Sequence, residues 1–240
     1  MKIIPPIVTF LLTLLSCSDS YTIVGKVQEA NDGDTIILAY SNDGKKIIET
    51  DISIVKNGTF KFEGKVDKSK VFYIGPKNCD NPAYTLFFLE KGEIEANLSK
   101  KGSVVVGTPL NDLNKEVTDS IEYYAQKIKS IEQKRYFCKH LKNGEFERQC
   151  VKEHKIQNCM TEYIRRTVSN NMHNIFGLYM LVIYHNFFNA DELTIMAKSI
   201  SKDLVDPNNN YLYDIIMEID NARQTPENME DFGNIVKDSY

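Results

Sequence analysis

No two cysteines stand in a Cys-x-x-Cys spacing anywhere in the 240 residues, so the chain carries no thiol–disulfide active site of the usual kind. A Gly-x-Ser-x-Gly elbow, a phosphate-cradling glycine loop and a zincin motif are equally missing, which removes the common hydrolase, nucleotide and metalloprotease chemistries. His173 and His185 lie near the two ends of an apolar segment with no nucleophile motif near them, and both read as structural. With no catalytic constellation left, the sequence reads as a non-enzyme without cofactor or metal. A basic excess is also lacking: 29 Lys and Arg stand against 33 Asp and Glu, a formal charge of -4. Phosphate neutralisation needs clustered cations, so a general nucleic-acid binder is excluded. Long hydrophobic runs are absent as well. Residues 3–15 are apolar but fall short of the roughly twenty needed to span a bilayer as a helix. Residues 175–188 are short, contain His185 and Asn186, and read as a buried helix.

What the start of the chain does have is a signal. Lys2 precedes the short apolar run, and the run ends in Leu14-Leu15-Ser16-Cys17. That ending resembles the bacterial lipobox. The resemblance implies cleavage before Cys17, a diacylglyceryl group on its sulfur and an acyl group on its new amine. The alternative is an ordinary secretory signal with a chance cysteine. Three acyl chains exceed the two signals that stable anchoring requires. Residues 1–16 are therefore expected to be a lipoprotein signal peptide and 17–20 a lipidated cysteine with a polar tether. Cys17 would place the product in the cell envelope, with the membrane as partner through the anchor.

Residues 21–110 alternate with period two between turns, as antiparallel strands do. Asn31-Asp32-Gly33-Asp34, Asn42-Asp43-Gly44 and Lys91-Gly92 mark turns. Asn57-Gly58 is the strongest hairpin signal, since a type I′ turn needs positive φ at both central residues, and it would set Val55 opposite Phe60. About eight short strands without intervening helices predict a sandwich or open barrel. The oxygen cluster at 31–34 lacks the full calcium-loop spacing and is explained by turn chemistry. After Pro109 the period becomes 3.6: Leu113, Val117, Ile121, Tyr124, Ile128 and Ile131 mark a helix reaching about residue 140. Asn143-Gly144 breaks it, and helices are expected over 146–168, from 175, and from 190 to about 201. Asn189 and Glu192 form a capping box for the last of these. A helix around Leu212 to Ile219 and a weak one after Pro226 follow. The fold class is thus α+β, an antiparallel β-sandwich or open barrel over 21–110 and an all-α domain over 111–240.

Val55-Lys56-Asn57-Gly58-Thr59-Phe60, Phe88-Leu89-Glu90 and Gly107-Thr108-Pro109-Leu110-Asn111-Asp112 resemble a β-rich domain of unknown function at the N-terminus of many Bacteroidetes lipoproteins. There it usually precedes a helical segment and a thioredoxin-like oxidoreductase domain, and residues 176–220 are similar to that helical segment. The resemblance implies no active site in the β-rich module. Where the redox domain begins in those proteins, this sequence reaches Tyr240, so the oxidoreductase activity is not expected to transfer.

Cys79, Cys138, Cys150 and Cys159 would sit in an oxidising compartment where disulfides form. Cys150 and Cys159 on one straight helix lie about 13.5 Å apart along its axis, beyond the roughly 7 Å limit for a bridge. Cys138 with Cys150 across the Asn143-Gly144 turn is the favoured pair, Cys138 with Cys159 the alternative, and reduced thiols the remaining state. Cys138, His140, Cys150, His154 and Cys159 are metal-competent types, but their spacing is poor for structural zinc and a linked helical hairpin is the better reading. The aromatics around Tyr73, Phe87-Phe88, Tyr179, Tyr184 and Phe187-Phe188 mark the core where the two halves pack, or alternatively a ligand groove between them. The expected function is a non-catalytic binding or scaffold role with a protein partner in the envelope. The alternative is an accessory that docks a separate thioredoxin-fold oxidoreductase.

Overall fold

A computed structural model describes residues 19–28, 30–41, 46–77, 84–139, 144–204 and 211–224. The lipobox with Cys17, Cys79, His140, the turns at Asn42-Asp43-Gly44 and Asp206-Pro207, and the weak helix after Pro226 lie outside the described residues.

Among the described residues eight strands form: β1 (Ser20–Val27), β2 (Thr35–Ser41), β3 (Ile47–Ile54), β4 (Thr59–Lys65), β5 (Lys70–Pro76), β6 (Thr85–Leu89), β7 (Gly92–Leu98) and β8 (Val104–Val106). They make two four-stranded sheets, β4-β1-β7-β8 and β3-β2-β5-β6. Asn57 (φ 51°) and Gly58 (φ 68°) are both left-handed, as the turn requires. Lys56 and Thr59 exchange backbone hydrogen bonds of 2.9 and 3.0 Å around them. The turn does not build an extended hairpin, however. β3 joins β2 and β4 joins β1, so this corner carries the chain from one sheet to the other. The expectation of antiparallel pairing throughout also needs correction, because β1 and β7 run parallel with Ile23 beside Ile94. The 31–34 turn is closed by the Asn31 N–H donating to Asp34 Oδ2 at 2.7 Å, which accounts for that oxygen cluster.

Ile23, Phe60, Phe62 and Ile94 from the first sheet meet Ile36, Leu38, Phe72 and Phe87 from the second to form the sandwich core. β5 and β6 break the apolar–polar alternation for a clear reason: both of their faces are covered. Phe72 and Phe87 point into the sandwich, while Val71 and Phe88 point into a second core made with the helices. There the Phe88 ring lies 5.6 Å from Phe176 and 5.7 Å from Tyr179, both edge-to-face. The β and helical halves therefore share a hydrophobic seam.

The helices are α1 (Pro109–Cys138), α2 (Glu145–Asn171), α3 (Ile175–Tyr184), α4 (Ala190–Ser199) and α5 (Tyr211–Gln224), with 3-10 turns at His185–Phe187 and Lys202–Leu204. α1 and α2 form a long antiparallel hairpin. Only Asn111 and Val117 of α1 are fully buried, and Tyr136 and Phe137 near its far end are 76% and 78% exposed. α3 is the apolar centre of the helical half, with Phe176, Leu178 and Leu181 essentially sealed from solvent. Among the described residues no helix is long and apolar enough to cross a membrane.

The expected capping box at Asn189 and Glu192 is present in both directions. Arg165 of α2 grips the Glu192 carboxylate with both terminal nitrogens and stacks over the Phe188 ring at 5.1 Å, so α2 is tied to the start of α4. The hydrogen bond from Arg165, followed by the Asn189 N–H, holds the Glu192 carboxyl below the ordinary carboxylate range. A carboxylate lowered by folding stabilises fully above its unfolded pKa of about 4.3 and loses that contribution as pH falls through the folded value. The wild type and Glu192→Gln are therefore expected to differ most in thermal midpoint near neutral pH and to start converging only as the pH falls below the unfolded value of about 4.3. A difference that stays constant into acid would rule out this role.

Candidate functional site

The blocks Phe88-Leu89-Glu90 and Thr108-Pro109-Leu110-Asn111-Asp112 meet in space as one joint. Thr108 is extended and Pro109 opens α1, a position where its missing N–H costs nothing. The Glu90 carboxylate accepts the Leu110 N–H at 2.8 Å, placing a negative group at the positive end of α1. Asn111 is fully buried; its Oδ1 accepts the Phe88 N–H at 2.9 Å, and its Nδ2 donates to the Phe88 carbonyl and to Thr108 Oγ1, both at 2.7 Å. Asp112 Oδ1 accepts the Gly107 N–H at 2.8 Å. These residues dock α1 onto β6 and have no reactive geometry.

Beside this joint the two halves enclose a cleft of about 500 Å³. Its floor is apolar, made by Val71 of β5, Leu110 of α1, Ile175 and Leu178 of α3, Leu204, and Leu212 of α5. Its rim is charged. Asp67 and Lys68 come from the β4–β5 connection, Lys70 opens β5, Lys91 comes from the β6–β7 turn, and His173 and Asp203 from the helical half. Lys68 Nζ donates to the Asp203 carbonyl at 3.1 Å, which joins the two sides of the rim. The Lys68 backbone N–H, then Asp67's own N–H and the Lys70 charge, keep the Asp67 carboxyl below its usual range, so it is a carboxylate at neutral pH. Apolar walls with a few convergent polar groups at a junction between two cores suit a small ligand with one greasy and one polar end.

The cysteines are elsewhere. Cys138 is the last residue of α1, Cys150 lies half-buried in α2, Cys159 is exposed, and no disulfide is formed among the three in this structure. Arg135 Nε sits 3.0 Å from Glu153 Oε2, and the rings of Tyr124 and Tyr163 are 6.0 Å apart, which fixes the register of the hairpin. Three residues further toward the turn on each helix, Cys138 stands level with Cys150. Cys159 is nine residues beyond Cys150, so about 13.5 Å along the axis separates it from that level. Among the described residues no three His, Cys, Asp or Glu gather as a metal cluster. His185 is buried, with Nδ1 2.9 Å from the Val182 carbonyl; a carbonyl only accepts, so that nitrogen carries the proton. His173 is exposed at the cleft. Sequence reading missed Lys68, Lys91 and Asp203, because no local signal links Lys68 to a residue 135 positions away.

Two packed four-stranded sheets followed by helices define a β-rich domain with an α-helical partner. A family model described as a domain of unknown function (DUF4369) matches residues 21–114, spanning the β half and the first turn of α1. No curated protein and no solved structure matches the chain.

Proposed function

We propose that the protein is a lipoprotein of the cell envelope, anchored through Cys17, that binds a small ligand in the cleft between its β and helical halves without transforming it. The carrying observation is the cleft itself: its volume of about 500 Å³ lies within the range of small-molecule sites, and both halves contribute to it. The lipobox and the charged rim, which holds no nucleophile–base pair, support the same reading. Native mass spectrometry of the full chain extracted from membranes tests it. The expected result is an acyl mass on Cys17 together with a non-covalent small-molecule adduct. An unmodified Cys17 would remove the anchor, and a chain that never carries an adduct would remove the ligand.

A second reading, an accessory to a separate thioredoxin-fold oxidoreductase, is favoured by the placement of Cys138 level with Cys150 at the seam of the α1–α2 hairpin. Under it the two thiols cycle between free and bridged states, and Cys159 takes no part. Thiol labelling of the denatured, unreduced envelope protein is expected to spare Cys138 and Cys150 and to modify Cys159. Full labelling of all three would eliminate the redox role.

A further inference from the structure

The way the chain enters the fold specifies where the cleft faces. Asp19 is held by two bonds: its carbonyl accepts the Val66 N–H at 2.7 Å, and its carboxylate pairs with Lys91. Val66 immediately precedes Asp67 and Lys68, and Lys91 lies on the same rim, so Asp19 is fastened to the cleft mouth from both sides. Cys17 precedes Asp19 by two residues, and an extended chain advances at most about 3.6 Å per residue. A residue two positions before Asp19 is therefore tethered within about 7 Å of Asp19 itself, on the side of the fold that carries Lys91.

We propose that the cleft opens onto the membrane surface and takes a single-chain zwitterionic amphiphile, of the lysophospholipid type, from the bilayer. This rests on the anchoring and ligand-binding reading above and names the ligand class. The apolar floor receives the acyl chain, and about 500 Å³ suits one such chain rather than a bulky two-chain lipid. The rim carries both signs. Lys68, Lys70 and Lys91 bring ammonium groups and Asp67 and Asp203 bring carboxylates, with Lys70 3.7 Å from Asp67 and Lys91 paired with Asp19. The remaining carboxylate, Glu90, is buried and committed to the Leu110 N–H. A phosphate against Lys68 and an ammonium against Asp203 complement this rim, whereas a purely anionic head would bring no counter-charge to Asp203. The Lys68 ammonium donates to a neutral carbonyl at 3.1 Å, which makes it the cation best placed for the phosphate.

The chain has no Trp, so Tyr213→Trp provides a single fluorescent reporter in the cleft, and Phe137→Trp provides one at the far end of the hairpin. The full lipidated chain is inserted into vesicles of phosphatidylethanolamine and phosphatidylglycerol, and its flotation with them is checked. Brominated lysophosphatidylethanolamine or a brominated fatty acid of equal chain length is then added. The lysolipid is expected to quench the Trp at 213 strongly and the Trp at 137 little. It should act at about tenfold lower concentration than the fatty acid, and Lys68→Ala should abolish that preference. Quenching of neither reporter, equal quenching of both, or no preference for the zwitterion would overturn the proposal. A chain that does not float would instead overturn the anchor and the membrane-facing orientation, while the lysolipid titration would still decide the ligand class.

Discussion

Asn111→Leu is expected to destabilise the protein by about 3–5 kcal/mol, a loss of roughly 10 °C or more in thermal midpoint for a chain of this size. The side chain is entirely buried and makes three hydrogen bonds, two of them to the backbone of Phe88. Leucine preserves the volume but leaves the Phe88 N–H and carbonyl without partners in a place water does not reach. Each orphaned group carries a desolvation cost of about 1–3 kcal/mol. Asn111→Asp sharpens the test. It keeps the acceptor for the Phe88 N–H but turns the Nδ2 position into an oxygen facing the Phe88 carbonyl. At neutral pH it should be at least as harmful as leucine, and part of the loss should return in acid as the carboxyl regains a donor. Chemical denaturation of the three proteins measures this, and a leucine variant within about 1 kcal/mol of wild type would refute the joint's importance.

Gly177→Ala is expected to reverse the usual sign of a glycine-to-alanine change in a helix. In an exposed helix interior alanine gains about 1 kcal/mol. Here a Cβ on residue 177 would lie 2.0 Å from the Asn171 carbonyl oxygen and 2.8 Å from the Met172 nitrogen. Those atoms are backbone at the end of α2, and they cannot rotate aside. The Asn174 side chain accepts the Gly177 N–H at 3.0 Å and fixes the turn between the helices, which leaves little room for adjustment. Separating α3 from α2 would disturb the core around Phe176 and Leu181, so a net loss of about 2–3 kcal/mol or more is expected. Denaturant midpoints that rise or stay level would show that the α2–α3 turn is softer than its geometry implies.

The parts of this architecture that could be read from the sequence are those whose chemistry is local. The Asn57-Gly58 turn, the Asn189 and Glu192 cap and the helical period from Leu113 onward each involve residues within a few positions of one another. Their forms in the fold match. The allocation of strands to sheets was not local. Nothing near Asn57 reveals that β3 and β4 part company, and the parallel pairing of β1 with β7 joins Tyr21 to Gly92 across a long intervening chain. Phe87-Phe88 could be read as core where the two halves pack, but not that Phe87 faces the sandwich and Phe88 the helices. Phe88-Leu89-Glu90 and Thr108-Pro109-Leu110-Asn111 could be recognised as patterns, yet their meeting through Leu110 and Asn111 appears only in three dimensions. The cleft was the least legible feature, because its rim unites Lys68, Lys91 and Asp203, which have no shared sequence signal.

The Asn111 amide has a further consequence for how the protein meets other chains. β6 is the outermost strand of its sheet, and its free side would otherwise offer an N–H and a carbonyl to any passing extended chain. The Asn111 carboxamide has one donor and one acceptor in the arrangement of a peptide group, and it fills both positions at Phe88. One side chain thus stands in for a missing neighbouring strand at that point, and α1 lies along the same edge. The device that docks the helices also denies this margin to strand-by-strand association, so loosening it would create a sticky surface as well as a weaker fold.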